Sequence, residues 1–142
     1  MIKAFNLEPY KERVAPVLPY GVYTIPECSG AGMTEEECEK KGINYVVGKA
    51  TYNQNARCTI IGDNDGFLKL VYEFDGELRQ PMKLLGVHII GEIASELIHS
   101  GLQALMMSAT HEFFVDACFN YPTLGELYKY ATYDAMAKRK SA

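Results

Sequence analysis

Apolar residues alternate through the middle of the chain and recur every three or four positions through its last third. Leu68, Leu70, Tyr72 and Phe74 fall on one side of an extended run, with Phe67, Lys69, Val71 and Glu73 on the other. That period of two is what a strand covered on one face requires. Runs rich in β-branched and aromatic residues at 43–50, 57–62, 67–74 and 83–90 are predicted as strands. Asp63-Asn64-Asp65-Gly66 and Asp75-Gly76 punctuate them as hairpin turns.

The period changes after Gly91. Ile93, Leu97, Ile98, Leu102, Leu105 and Met106 repeat at helical spacing and predict a core-facing helix. Thr110 and Thr123 are read as N-caps of two more helices, with Leu124, Leu127, Tyr128, Ala131 and Ala135 as the last apolar face. Earlier, Thr34 followed three residues later by Glu37 is a capping box, and Gly42 closes the short helix it opens. Gly30-Ala31-Gly32 reads as a turn before Thr34. Strands first and helices last indicate an α+β fold: an antiparallel sheet meander with helices packed on one face.

Pro9, Pro16 and Pro19 among charged residues mark residues 1–20 as an extended linker from a preceding domain, with a possible helical stump at 2–7. Residues 21–142 form the domain proper. At 142 residues and 48% hydrophobic the chain can bury a real core. Its net charge of -4 argues against a nucleic-acid or anionic-lipid surface. No apolar run approaches the roughly 20 residues that span a bilayer, and no signal-type segment opens the chain, so a cytoplasmic location is expected. Lys138-Arg139-Lys140 reads as a helix end, where cations favour the dipole.

Most of the chemistry-bearing residues have plain structural readings. Cys28, Cys38, Cys58 and Cys118 contain no Cys-x-x-Cys pair and read as reduced thiols, with no metal site expected. Glu92, Glu96 and His99 share a helix face, yet a single Glu-x-x-His cannot build a carboxylate-bridged metal site, and a polar stripe is the simpler reading. His111 and Cys118 come with no oxyanion-hole pattern. Asp63 to Gly66 lacks the later ligands of a calcium loop. No Gly-x-Gly-x-x-Gly follows a strand, so a nucleotide-binding fold is not expected here.

Three segments carry a further signal. They are, in chain order, Tyr23-Thr-Ile-Pro-Glu27 with Ser29, Gly32, Thr34 and Glu35, then His88-Ile-Ile-Gly-Glu-Ile-Ala-Ser-Glu-Leu-Ile-His99, then Phe119-Asn-Tyr-Pro-Thr-Leu-Gly-Glu126. Together they resemble the C-terminal dimerisation domain of the FAD-dependent pyridine nucleotide-disulfide oxidoreductases, and the Asn-Tyr-Pro form is similar to the soluble transhydrogenase branch. The resemblance implies a homodimer formed through the sheet and C-terminal helices, with FAD and NAD domains preceding in a longer parent. FAD and NAD(P) would belong to that parent, and this chain alone would bind neither and catalyse nothing.

In full-length relatives the residue before the signature proline reaches the partner subunit's flavin. Tyr121 and Pro122 hold that position and are the expected cofactor contacts, with Tyr121 and Glu126 the expected catalytic pair. Disulfide reductases place a histidine where Tyr121 stands. A phenol with an unperturbed pKa of ~10 is a poor proton acceptor at neutral pH, whereas hydride transfer through flavin needs no such base. The resemblance therefore implies hydride transfer between NADH and NADP. A dihydrolipoamide- or mercuric-reductase-like parent, or a free-standing binding module, are the alternatives. Without the resemblance, Glu126 reads as half of a capping box opened by Thr123, and Tyr121 as a buried anchor held extended by Pro122.

Overall fold

A computed structural model describes Phe5 and residues 15–140. The helical stump at 2–7 and most of the linker predicted at 1–20 lie outside the described residues. The elements in chain order are β1 (Tyr20–Val22), β2 (Glu27–Gly32), α1 (Glu35–Lys41), β3 (Tyr45–Thr51), α2 (Ala56–Ile61), β4 (Phe67–Glu73), β5 (Leu84–Gly91), α3 (Ala94–Met106), α4 (Glu112–Asp116) and α5 (Glu126–Lys138). A single 3-10 turn, Tyr52–Gln54, follows β3.

The five strands form one antiparallel sheet in the order β1-β2-β5-β4-β3. The meander expected from the sequence is the β3-β4-β5 half. The β1-β2 hairpin joins it by pairing β2 with β5. Neither strand of that hairpin was predicted, because β2 reads Glu-Cys-Ser-Gly-Ala-Gly and has little intrinsic strand preference. Gly30-Ala31-Gly32 is therefore strand rather than turn. Pairing on both sides overrides propensity there, and the Tyr20 ring lies where a side chain on Gly30 would be, 2.6 Å from an ideal Cβ.

Residues 57–62, expected as a strand, form helix α2 and its cap. Asn55 Oδ1 accepts from the amides of Arg57 at 2.9 Å and Cys58 at 3.2 Å, and Gly62 closes the helix in the left-handed conformation. Thr59, Ile60 and Ile61 suggested β-structure by composition alone, a weaker influence than two well-formed caps. Residues 63–66 consequently link a helix to β4 and are not a hairpin turn. Asp63 Oδ2 accepts from the Glu92 amide at 3.1 Å across to β5's end.

Helices α3 and α5 pack on the sheet, α3 against β2 and β5 and α5 against β3 and β4. On β4, Leu68, Leu70 and Tyr72 are buried as the alternation predicts. Val71 is buried too, beside a bulge between Val71 and Tyr72. The face of α3 differs in detail from the expected one. Ala94, Ser95, Ile98, Gly101 and Ala104 are fully buried, Leu97, Leu102 and Leu105 half-buried, and Ile93 and Met106 exposed. Small residues bring this helix close to the sheet, so that an ideal Cβ on Gly101 would come within 2.7 Å of Val87.

The two helices are tied together by Tyr128. Its ring stacks on Phe114 with centroids 4.7 Å apart. Its hydroxyl donates to the Leu97 carbonyl at 2.7 Å and accepts from the Gly101 amide at 3.0 Å. Those are the two groups that a regular α-helix would pair with each other. Burial drives the phenol's pKa up, so it stays protonated and able to donate. Replacing Tyr128 with Phe leaves the ring and strips both bonds. It is expected to lower unfolding stability by about 1–3 kcal/mol, read from the urea midpoint at unchanged m-value.

Candidate functional site

The three motifs picked out in the sequence meet at one end of the sheet. Glu27, which opens β2, accepts from the Ser95 amide at 2.9 Å and so caps the start of α3. The Tyr52 hydroxyl donates to the Glu92 carbonyl at 3.0 Å, linking the end of β3 to the β5-α3 junction. Asn55 Nδ2 donates to the Thr123 carbonyl at 3.0 Å and joins the same end to the signature turn. The Tyr23–Glu27 segment, the Gly91–Glu96 junction and the Tyr121–Glu126 turn therefore share one rim. The Ile25-Pro26 and Tyr121-Pro122 peptide bonds on that rim are both cis.

Tyr121 stands out from the rim, 73% exposed rather than buried as an anchor, while Pro122 and Thr123 are half-buried behind it. Glu126 is the first residue of α5. Its Oε2 accepts from the Thr123 amide at 3.3 Å and its Oε1 from the Tyr130 hydroxyl at 3.1 Å. Partial burial, then the bond to Glu126, raise the Tyr130 pKa and keep its hydroxyl a donor. Only half of the predicted capping box is present. The Thr123 hydroxyl donates to the Asn120 carbonyl at 2.7 Å instead, and Gly125 takes the N-cap position. The chain makes a tight turn before the helix proper, closed by Leu127 to Leu124 and Tyr128 to Gly125 backbone bonds. Thr110 likewise does not cap α4. It bridges to Lys83, and His111 occupies the cap position.

Apart from Glu92 and Glu96 on the β5-α3 junction, the remaining candidates are separated from this rim or engaged in structure. Glu92, Glu96 and His99 are exposed, and the His99 ring bonds back to the Glu96 carbonyl. His111 is buried with Nδ1 accepting from the Met82 amide at 3.1 Å, and burial lowers its pKa. Cys118 is exposed, and Cys38 and Cys58 are buried, with burial pushing the Cys58 thiol up to about 11. All four cysteines are free. Among the described residues, no group of three or more His, Cys, Asp and Glu could hold a metal ion, and no helix is long and apolar enough to cross a membrane. A cavity of about 800 Å³ lined by Tyr45, Phe74, Asp75 and Arg139 lies at the opposite end of β3 and β4 from Tyr121.

With Tyr52 and Tyr130, Asn55 is one of the residues at this rim that sequence reasoning passed over. It is 1% exposed and bonds both α2 and the signature turn. Reading 57–62 as a strand concealed it. The spacing of Asn55 and Gly62 as a cap pair was the available signal.

Residues 18–132 match the family described as the pyridine nucleotide-disulphide oxidoreductase dimerisation domain. The chain belongs to that family. The soluble pyridine nucleotide transhydrogenase of Mycobacterium bovis is 43% identical over 128 residues, covering 90% of this chain and 26% of that protein. The transhydrogenase of Pseudomonas fluorescens is 42% identical over 84% of the chain and 25% of its own length. The chain thus spans about a quarter of these relatives. Among solved structures, the HOCl-induced flavoprotein disulfide reductase RclA of Escherichia coli superposes with a TM-score of 0.76 at 21% identity, covering 96% of this chain and 30% of that one. LpdA of Mycobacterium tuberculosis gives 0.72 at 20%, covering 92% and 27%. At those identities the likeness concerns the fold: an α+β dimerisation domain with a five-stranded antiparallel sheet.

Proposed function

We propose that this dimerisation domain, residues 21–142 with 1–20 as its linker, is the C-terminal part of a cytoplasmic, FAD-dependent soluble transhydrogenase. The parent would pass hydride between NADH and NADP, with FAD and NAD domains preceding this one. The domain pairs as a homodimer through its sheet and C-terminal helices, without nucleic acid or membrane partners. Tyr121 and Pro122 meet the flavin held by the other subunit, and Glu126 braces them. One observation carries this reading: Tyr121 is exposed on a turn anchored from behind, at the position where the resemblance expects a histidine in disulfide reductases.

A fit to flavin is supported by that outward placement. Tyr121 projects into solvent, so the complementary pocket would lie outside the described residues, and the resemblance assigns it to the partner subunit. The chemistry a bound flavin supplies is acceptance and return of hydride. Tyr121 contributes an aromatic ring beside a rigid proline, able to cover the reacting centre and keep water away. Glu126 has no histidine to orient and spends its two oxygens on Thr123 and Tyr130.

The identity to transhydrogenases favours this reading over the dihydrolipoamide- or mercuric-reductase-like one. The test is to purify the full-length polypeptide containing this chain and measure hydride transfer from NADH to a thio-NADP acceptor beside reduction of a small disulfide. Hydride transfer without disulfide reduction is expected. Disulfide reduction dependent on an upstream Cys-x4-Cys pair would overturn the reading in favour of the reductase.

A further inference from the structure

Thr123, the residue after the signature proline, is held at all three of its polar groups. Its amide donates to Glu126, its carbonyl accepts from Asn55 and its hydroxyl donates to the Asn120 carbonyl. Asn55 is oriented in turn. Its oxygen accepts two α2 amides, which leaves its NH2 group facing Thr123. Glu126 is fixed at its second oxygen by Tyr130, one helical turn further along α5.

The Tyr130-Glu126 pair is not needed to start or bury the helix. Backbone bonds close the first turn of α5, and its buried residues are Leu127, Tyr128, Ala131, Thr132 and Ala135, whereas Tyr130 is 40% exposed. What the pair reaches is the turn that presents Tyr121. A side chain that must meet a group on another chain gains from a fixed mounting, because small displacements at a reacting centre cost rate steeply.

The geometry points to Tyr130 and Asn55 as positioning residues that hold the Tyr121-Pro122 turn through Thr123. This rests on the proposed reading of Tyr121 as a flavin contact and adds the residues that set its place. Tyr130 acts through Glu126, and Asn55 acts directly on the Thr123 carbonyl.

The test uses the FAD-loaded full-length dimer with Tyr130→Phe, Asn55→Ser and Tyr121→Ala. Serine keeps an oxygen to cap α2 but does not reach Thr123. Tyr130→Phe is expected to lower kcat about tenfold with KM for both nucleotides and the thermal midpoint nearly unchanged, the split that separates lost positioning from lost binding or folding. Amide exchange at Thr123 is expected to quicken about tenfold in both positioning variants. If Tyr121→Ala lowers kcat while Tyr130→Phe changes neither kcat nor Thr123 exchange, the inference fails and the reading of Tyr121 stands. A Tyr130→Phe dimer that dissociates more readily at full kcat makes Tyr130 an interface residue and also overturns it. If Tyr121→Ala leaves kcat unchanged, the reading itself falls and the inference with it.

Discussion

Gly48→Ala is expected to destabilise the domain by about 3 kcal/mol or more, a large share of the roughly 5–15 kcal/mol that holds a domain of this kind together. Gly48 lies in β3 beneath α5. An ideal Cβ there would sit 1.9 Å from the Ala131 carbonyl oxygen, 2.9 Å from its carbon and 2.9 Å from the Ala135 Cβ. The first two obstacles are helix backbone, which cannot swing aside as a flexible side chain would. Relief requires lifting α5 off β3. That would also strain the bonds from the Lys49 amide to Asp134 and from Lys138 to the Val47 carbonyl. Gly42→Ala is the control. Gly42 has φ 65° with nothing within 4 Å of an added Cβ, so only the left-handed backbone penalty of about 1 kcal/mol applies. Equal urea midpoints for the two variants would mean that α5 does not rest on β3 as described.

Tyr121→Ala in the full-length polypeptide is expected to reduce kcat for hydride transfer about 100-fold, the scale of effect that misplacement at a reacting centre produces. Because Tyr121 is 73% exposed and makes no side-chain hydrogen bond among the described residues, the thermal midpoint should move little. Tyr121→Phe should retain activity within about threefold, since the ring rather than the hydroxyl is assigned the work. Loss of activity in Tyr121→Phe equal to that in Tyr121→Ala would instead give the hydroxyl a role in proton movement. Steady-state assays at saturating nucleotide distinguish these outcomes.

How far the sequence revealed this structure depended on where local signals agreed with tertiary ones. The capping box at Thr34 and Glu37 and the closure at Gly42 appear as read, because cap chemistry is contained within a few residues. The alternation on β4 likewise corresponds to a buried face. The period after Gly91 correctly marks a helix, whose most buried face is made largely of small residues rather than the large apolar ones that set the period. β2 was missed because its glycines and small side chains are specified by neighbours, Tyr20 above Gly30 and β5 alongside. α2 was misread because its composition favoured strand while its caps favoured helix.

The site was legible in a different sense. Tyr121, Pro122 and Glu126 could be named from the octet, yet the spacing Thr123-Leu-Gly-Glu126 suggested a complete capping box, and only half of it forms. Asn55, 68 positions away from Thr123, could not be joined to the turn without the fold. Tyr130 was visible only as one more tyrosine until its hydroxyl was placed on Glu126.

Tyr121 is expected to complete a site on the other subunit, and mixed dimers test that directly. One subunit carries Tyr121→Ala with intact upstream domains, and the other carries Tyr121 with its FAD domain disabled, so each homodimer is inactive. Pairing across the two-fold axis places the intact flavin opposite the intact tyrosine at one of two sites. Random mixing should then restore about a quarter of wild-type activity, since roughly half of the dimers are mixed and each mixed dimer regains one site. Mixed dimers that form but remain as inactive as their parents would contradict this, placing Tyr121 at its own subunit's site.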